Sequence, residues 1–223
     1  MARLQTCKHP KLANHSNIPQ SHGPTPPRTY HIVKLTRNRP PSVLRAAKLP
    51  PKTTPTHVFF FGYEGPEPEN TFQQWYPSPF KDADGTKFLT TEHYMMYHKA
   101  LLMSDSSTAD KILASSTPAE AKSLGREVKG FNQKLWDEKC DGIVEQGNFL
   151  KFSQVENCRK ALLATGERKL IEASPNDRVW GIGFAADEAE GKEEEWGANK
   201  LGEALERVRQ RIGKGDESFV NVN

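Results

Sequence analysis

A glutamate and a lysine lie seven residues apart in the stretch TTEHYMMYHKA, residues 90–100. Seven residues make almost two turns of a helix, so Glu92 and Lys99 would lie on one face, about 20° apart around the axis. They would be about 10 Å apart along the axis, which is too far for a direct ion pair. The two groups are therefore either solvated surface charges or charges that bracket a ligand from one wall of a cleft.

A second set of candidate residues follows later in the chain. Asp177 comes just before RVWGIG, where a carboxylate at the mouth of two short strands would face a pocket and Trp180 would offer a stacking surface. Asn199 lies at the start of a helical pattern, where capping of the helix is the plain alternative to ligand binding. Lys151 lies beside aromatic residues in NFLKF.

Aromatic residues and cysteines are weaker indications of function. Trp75, Tyr76 and Trp136 are spaced as core aromatics usually are, which competes with a role in stacking against a base. The odd count of three cysteines, without a close pair, favours a reducing compartment, so we expect an intracellular protein, cytoplasmic or nuclear. His93 and His98 are five apart, whereas a helical zinc pair needs four, and we expect no metal or cofactor.

Helical patterns dominate the elements that must position these residues. We expect helices from an N-cap at Thr91 to about Met103, from Thr117 to Gly125, through the run 132–149, from Ser153 to Gly166, and over 199–212. HVFFFGYEG and KLIEAS are typical of short strands, and RVWGIGF of a strand or turn. The predicted fold class is mainly α, or α+β with a small β element, without the strand–helix alternation of a doubly wound sheet.

Charge divides the chain sharply. Residues 1–63 hold ten of the 31 Lys and Arg and no acid, so the remaining residues, with all 28 acids, carry a net charge of −7. Ten of the 16 prolines lie at or before Pro55. We therefore expect a disordered basic arm over residues 1–55, a globular domain over 56–213 and a frayed tail over 214–223.

The arm has three interpretations that the sequence leaves open. It would be a solvated linker, a segment that contacts nucleic acid through its positive charge, or an organellar transit peptide, although its prolines weaken the third. No hydrophobic run approaches the length of a membrane span, so no membrane partner is expected.

Several motifs occur together in an order that resembles one family. QQWYPSPF, TTEHYMMYHKA, TPAEAKSLGREVKGF, GNFLKF, LLATGERKLIEASPNDRVWGIG and WGANKLGEAL are similar to the motifs of the NADAR family, also called YbiA-like, over about residues 58–212. The resemblance implies a compact YbiA-like helical domain and N-glycosidase chemistry on ribosylated or ADP-ribosylated compounds. Two substrate classes are implied: ADP-ribosylated guanine in nucleic acid, and phosphorylated ribosylaminopyrimidine intermediates of riboflavin synthesis.

The resemblance also implies site residues. The catalytic candidates are Lys99, Glu92 and Asp177. The candidates for substrate binding are Trp180, Gly181, Asn199, Gly202, Lys151, Trp75, Gln74, Tyr94 and Trp136. One departure is that the family usually has Ser-Asn where this chain has Gln73-Gln74, and this difference bears on substrate preference rather than on the reaction.

Two mechanisms remain open. Lys99 would attack the anomeric carbon and open the ribose to a Schiff base while Glu92 or Asp177 moves the proton, or Glu92 would activate water while Lys99 pairs with charge on the substrate. The leading expected activity is removal of ADP-ribose from guanine in DNA. The alternatives are cleavage of the riboflavin-pathway intermediates and a non-catalytic module that binds ADP-ribose or an NAD derivative.

Overall fold

The computed structural model describes residues 51–215, so the predicted arm up to residue 50 and the tail after residue 215 lie outside the described part of the chain. The described part contains six α-helices and five short strands, which confirms the predicted mainly α fold with a small β element. The strands are β1 (Lys52–Thr53), β2 (His57–Phe60), β3 (Phe80–Lys81), β4 (Lys87–Phe88) and β5 (Lys169–Glu172). The helices are α1 (Thr91–Leu102), α2 (Ser106–Ala114), α3 (Pro118–Arg126), α4 (Gln133–Gln154), α5 (Glu156–Ala164) and α6 (Lys200–Gly213).

Three strands form the main sheet, in the order β1-β2-β5. β1 is antiparallel to β2, and β2 is parallel to β5, with Phe60 alongside Glu172. A parallel pair needs a crossover, and here the crossover is long, because it includes the β3–β4 hairpin and helices α1 to α5. The carboxyl ends of β2 and β5 therefore meet at the same end of the sheet.

Residues 51–55 belong to the domain and not to an arm. Lys52 and Thr53 pair with Phe59 and Val58, and the Lys52 ammonium lies 2.7 Å from the carboxylate of Glu190. Their prolines and positive charge dominate the local composition, and this composition predicted that they belong to the arm. Pairing of backbone groups with a buried strand depends little on such composition.

Alternation along the strands gives the sheet two apolar faces. On one face, Val58, Phe60 and Leu170 pack against helices α4, α5 and α6. On the other face, Phe59 and Ile171 pack under the loop between β5 and α6, whose buried residues include Ile182, Ala186 and Ala189. The sheet is thus covered on one side by helices and on the other by a loop that also carries candidate site residues.

The start of α1 differs by one residue from the prediction. Thr90, not Thr91, is the N-cap, because its backbone is extended and its hydroxyl accepts a hydrogen bond from the backbone N–H of His93 at 3.4 Å. The Thr91 hydroxyl instead donates to the carbonyl oxygen of Gln74 at 3.1 Å. This contact ties the first turn of α1 to the preceding loop.

Other helix boundaries also differ from the predicted ones. In α3 the predicted cap at Thr117 is confirmed, but the helix continues through Gly125 to Arg126. α4 continues past Phe149 to Gln154, so Ser153 lies inside it and the predicted cap there is wrong. Helix α2 was not predicted, and RVWGIGF forms bends rather than a strand. No helix within residues 51–215 is long and apolar enough to cross a membrane.

Candidate active site

A cavity of about 340 Å³ opens where β2 and β5 end. Its walls come from the segment after β2, the loop before α1, the first turns of α1, one residue of α3, the segment after β5 and the start of α6. The lining residues are Phe61, Gly62, Tyr63, Gln73, Gln74, Trp75, Glu92, Met95, Lys122, Glu172, Ser174, Asp177, Trp180 and Leu201. Five predicted site residues are therefore brought together here: Gln74, Trp75, Glu92, Asp177 and Trp180.

Glu92 projects into this cavity from the buried first turn of α1. Its backbone N–H donates to the Gln74 carbonyl oxygen at 3.1 Å, and its side chain is almost fully buried. Burial raises the pKa of its carboxyl group, while Lys122, the Trp75 indole, Arg126 and Lys99 act in the opposite direction. Its Oε1 is buried and has no hydrogen-bond partner among the described residues, so one acceptor is left unsatisfied.

Glu172 is a second buried carboxyl group, and it was not among the predicted site residues. It ends β5, where only 8% of it is exposed, and its Oε2 has no partner within the described residues. Burial and then the charge of Asp177 raise its pKa to about 8, against the smaller effects of Gln73 and Lys122. A glutamate that follows the apolar pair Leu170-Ile171, two residues before a Ser-Pro turn, was the feature that could have found it.

Asp177 is the third carboxyl group of the cavity, and it is half-buried. Its Oδ1 accepts hydrogen bonds from the backbone N–H groups of Val179 and Trp180, both at 2.8 Å. This turn fixes the direction of the carboxylate. Gly181 follows in the same turn but lies outside the cavity, in a place where a Cβ would approach the Glu172 carbonyl oxygen to 2.8 Å.

Two tryptophans provide broad surfaces in the cavity wall. The Trp75 ring lies 5.8 Å from the Tyr63 ring between centroids, and the Lys122 ammonium lies 5.7 Å from the Trp75 centroid. Trp180 stands on the opposite segment, with the Lys200 ammonium 5.9 Å from its ring. Flat aromatic faces beside carboxyl groups suit a ligand that contains a planar base and a sugar.

The two lysines nearest the site have different positions. Lys99 does not line the cavity: its ammonium donates to the Gly125 carbonyl oxygen at 2.7 Å and lies 4.5 Å from the Phe131 ring and 5.7 Å from the Trp136 ring. Burial, and then the charge of Arg126, lower its pKa. Trp136 thus packs beside Lys99 and not within the cavity. Lys122 of α3 is the lysine that lines the cavity, and it was not among the predicted site residues.

Lys151 and Tyr94 lie behind the cavity wall. Lys151 is completely buried, and its ammonium donates to the Gln73 carbonyl oxygen at 3.0 Å. Burial lowers its pKa to about 8. Tyr94 packs on Phe88 with ring centroids 5.0 Å apart, and burial raises the pKa of its phenol. Lys151 holds the loop that carries the cavity residues, whereas Tyr94 fixes α1 against the β3–β4 hairpin.

Asn199 and Gly202 also lie outside the cavity, at the start of α6. Asn199 has a left-handed backbone with φ of 48°, and its amide accepts from the Glu172 N–H and donates to the Leu170 carbonyl oxygen, both at 2.9 Å. Gly202 lies so close to β5 that a Cβ would overlap the same carbonyl oxygen. Both residues hold α6 against the strand that ends in Glu172, and substrate contacts by them remain predictions.

Within residues 51–215 there is no group of three or more histidine, cysteine, aspartate or glutamate side chains arranged to hold a metal ion. The cavity lining offers three carboxyl groups, one amine, the amides of two glutamines, a serine hydroxyl and aromatic faces.

The model of the NADAR domain family matches residues 59–213, which is nearly all of the described domain. The chain is 40% identical to an N-glycosidase of Acanthamoeba polyphaga mimivirus, over 70% of this chain and 96% of the relative. It is 32% identical to the N-glycosidase YbiA of Escherichia coli, over 64% of this chain and 79% of the relative. The NMR structure of E. coli YbiA matches with a TM-score of 0.59 and 27% identity, covering 80% of this chain and 98% of that one.

The helical fold with its small sheet is therefore the YbiA fold, and the class of protein is an enzyme, an N-glycosidase. The chain belongs to the NADAR family. Its cavity lies in the matched region, and all of its lining residues fall within residues 59–213.

Proposed function

We propose that the protein hydrolyses the bond between a ribose and guanine, and that its substrate is ADP-ribosylated guanine in DNA. The observation that supports this best is the cavity itself, which is lined by three carboxyl groups with unlike surroundings and by two tryptophans. Cleavage of an N-glycosidic bond requires a proton for the leaving base, a base that activates water, and negative charge near the oxocarbenium ion.

The different surroundings of the two buried glutamates favour one as the proton donor and the other as the base that activates water. Glu172 lies near other carboxylates and has a pKa of about 8, so it holds a proton at neutral pH and would give it to the leaving base nitrogen. Glu92 also has a pKa raised by burial, but three cations and an indole N–H oppose that rise. Glu92 is therefore the better candidate to take a proton from water.

Water would attack the anomeric carbon directly. The C1–N bond breaks as the C1–O bond forms, the water proton passes to Glu92, and the Glu172 proton passes to the base. Asp177, held by two backbone N–H groups, would stabilise the positive charge on the sugar. Direct attack needs no movement of Lys99, whereas the Schiff-base route would require its ammonium to leave the Gly125 carbonyl oxygen and reach the cavity.

The charge of the first 63 residues supports the choice of DNA. Ten Lys and Arg without an acid would attract a polyanion to the enzyme. The charge of the rest of the chain supports a second candidate, because residues 64–223 carry a net charge of −7 and would repel a polyanion. That candidate is a small phosphorylated ribosylaminopyrimidine, an intermediate of riboflavin synthesis.

The test is release of free ADP-ribose from a guanine-ADP-ribosylated DNA oligonucleotide, measured by mass spectrometry with the full-length chain. We expect release by the wild type and a loss of about 10²-fold or more in Glu92→Gln. The exposed Glu138, far along the surface of α4, provides the matched control Glu138→Gln. Activity on the small pyrimidine substrate alone would replace the DNA proposal with the second candidate, and binding without turnover would favour a non-catalytic module.

Borohydride trapping during turnover tests the choice of direct water attack. We expect no covalent adduct between substrate and enzyme. An adduct that disappears in Lys99→Ala would restore the Schiff-base mechanism and show that Lys99 enters the cavity.

A further inference from the structure

We propose that Lys122 and Arg126, one turn apart on α3, form the subsite that binds the phosphate groups of the substrate. This inference rests on the proposed function, because it assigns the anionic part of the same substrate. The chemistry recognised is a phosphate ester or a pyrophosphate attached to the ribose.

Lys122 and Arg126 are placed on the side of α3 that is nearest to the cavity residues Trp75 and Glu92. Lys122 lines the cavity, and its ammonium lies over the face of Trp75 at 5.7 Å from the ring centroid. Arg126 follows four residues later on the same helix, so the two side chains share one face of α3. α3 packs against α1, which carries Glu92. Lys122 therefore stands in the cavity wall, and Arg126 lies one turn further along α3, near enough for its charge to act on Glu92.

The side-chain donors of Lys122 and Arg126 are also available to a ligand. Neither Lys122 nor Arg126 forms an ion pair with any residue in the range 51–215, whereas α6 carries paired cations such as Lys200 with Asp141 and Arg207 with Glu145. Both Lys122 and Arg126 act on the buried Glu92 through their charge. Their donors remain free for a ligand, and an arginine with a lysine suits the oxygens of a phosphate.

The two kinds of charged group in and beside the cavity also match the two kinds of chemistry in the substrate. The carboxyl groups of Glu92, Glu172 and Asp177 suit the sugar carbon, on which positive charge develops during cleavage. The cations of α3 suit the phosphate attached to the other end of the ribose. A neutral nucleoside would leave the cations without a partner, so we expect the enzyme to discriminate against it.

The test is direct binding, by calorimetry, of three probes to the full-length protein: ribose, ribose 5-phosphate and ADP-ribose. We expect the wild type to bind both phosphorylated probes more tightly than ribose. Lys122→Ala and Arg126→Ala should each weaken the binding of phosphorylated probes by about tenfold or more, because each removes a charge-assisted hydrogen bond. Arg126→Lys should recover part of the loss. Lys111→Ala, an exposed lysine of α2 outside the cavity, is the control.

The probes separate the two sources of phosphate. A loss in Arg126→Ala for ADP-ribose alone would assign Arg126 to a pyrophosphate, and an equal loss for ribose 5-phosphate would assign it to a monophosphate; both support the subsite. Unchanged affinity in both alanine variants, or an equal loss for ribose itself, would overturn it. Binding requires no turnover, so an inactive enzyme that still binds through these residues would refute the proposed function and leave the subsite standing.

Discussion

Replacing Glu172 with glutamine should make the protein more stable and less active at the same pH. The pKa of Glu172 is about 8 in the folded protein against an ordinary value of 4.5, so the folded state prefers the neutral acid. As the pH rises between these two values, the unfolded chain ionises first and the folded state loses stability. Glu172→Gln keeps a neutral side chain of similar shape and removes this loss.

The size of the effect follows from the two pKa values. Between pH 5 and pH 7, ionisation of the unfolded chain should lower the free energy of unfolding of the wild type by about 2.5 kcal/mol relative to Glu172→Gln. Below pH 4.5 the difference between the two proteins should stop changing with pH. Over the same pH range, loss of the acid should lower kcat by about 10²- to 10⁴-fold.

Urea unfolding at pH 5, 6 and 7 measures the first quantity, and the pH profile of kcat measures the second. In the wild type, kcat should fall as the pH rises through about 8, because the proton donor is lost. Glu138→Gln, at an exposed position of α4, should change neither measurement. A stability difference between wild type and Glu172→Gln that is constant from pH 5 to pH 7 would refute the argument, because it would mean that folding does not perturb this carboxyl group.

Three further predictions concern the surroundings of the cavity. Asp177→Asn should lower kcat by about 10²-fold with little change in the urea midpoint, since an amide oxygen still accepts from the two backbone N–H groups; a large loss of stability would contradict this. Gly202→Ala should lower the free energy of unfolding by about 1–3 kcal/mol, measured by urea, because its Cβ would overlap a β5 carbonyl oxygen; an unchanged midpoint would show that α6 can shift. The pKa of Lys151 falls from 10.5 to about 8 on folding, so between pH 7 and pH 9.5 the free energy of unfolding of the wild type should rise by about 2 kcal/mol relative to Lys151→Met. Urea unfolding measures this change, and its absence would show that burial does not perturb this amine.

Local patterns predicted the elements well where one strong feature controls them. The apolar run HVFF gave β2, and the Thr-Pro start of α3 gave its cap, because both depend only on neighbouring residues. The end of α4 was missed because Ser153 and Glu156 match a capping box, which predicted a new helix start at Ser153, whereas α4 continues to Gln154. The helix runs through Gly147 as predicted, and glycine is needed there because a Cβ would approach the Tyr94 ring to 2.6 Å.

The site residues that lie in sequence motifs were predicted, and those that depend on contacts between distant segments were not. Glu92, Asp177 and Trp180 were found because each lies in a motif, and the structure places all three on one cavity. Glu172 and Lys122 were missed because their importance comes from contacts between distant segments. Lys99 was favoured because helical geometry places it on the face of Glu92, but seven residues along α1 carry its amine past the cavity to the end of α3.

The side-chain amide of Asn199 affects whether the sheet can pair with a strand from another copy of the protein. β5 is the outer strand of its sheet, and an outer strand with free backbone groups is a template for a strand from another molecule. Here the Asn199 amide pairs with the Leu170 oxygen and the Glu172 N–H as a neighbouring peptide group would, while the Glu206 carboxylate accepts from the Leu170 N–H at 2.9 Å. The side chains of Asn199, at the N-cap of α6, and of Glu206 thus take the place of a fourth strand, and they close the β5 edge of the sheet to pairing with another molecule.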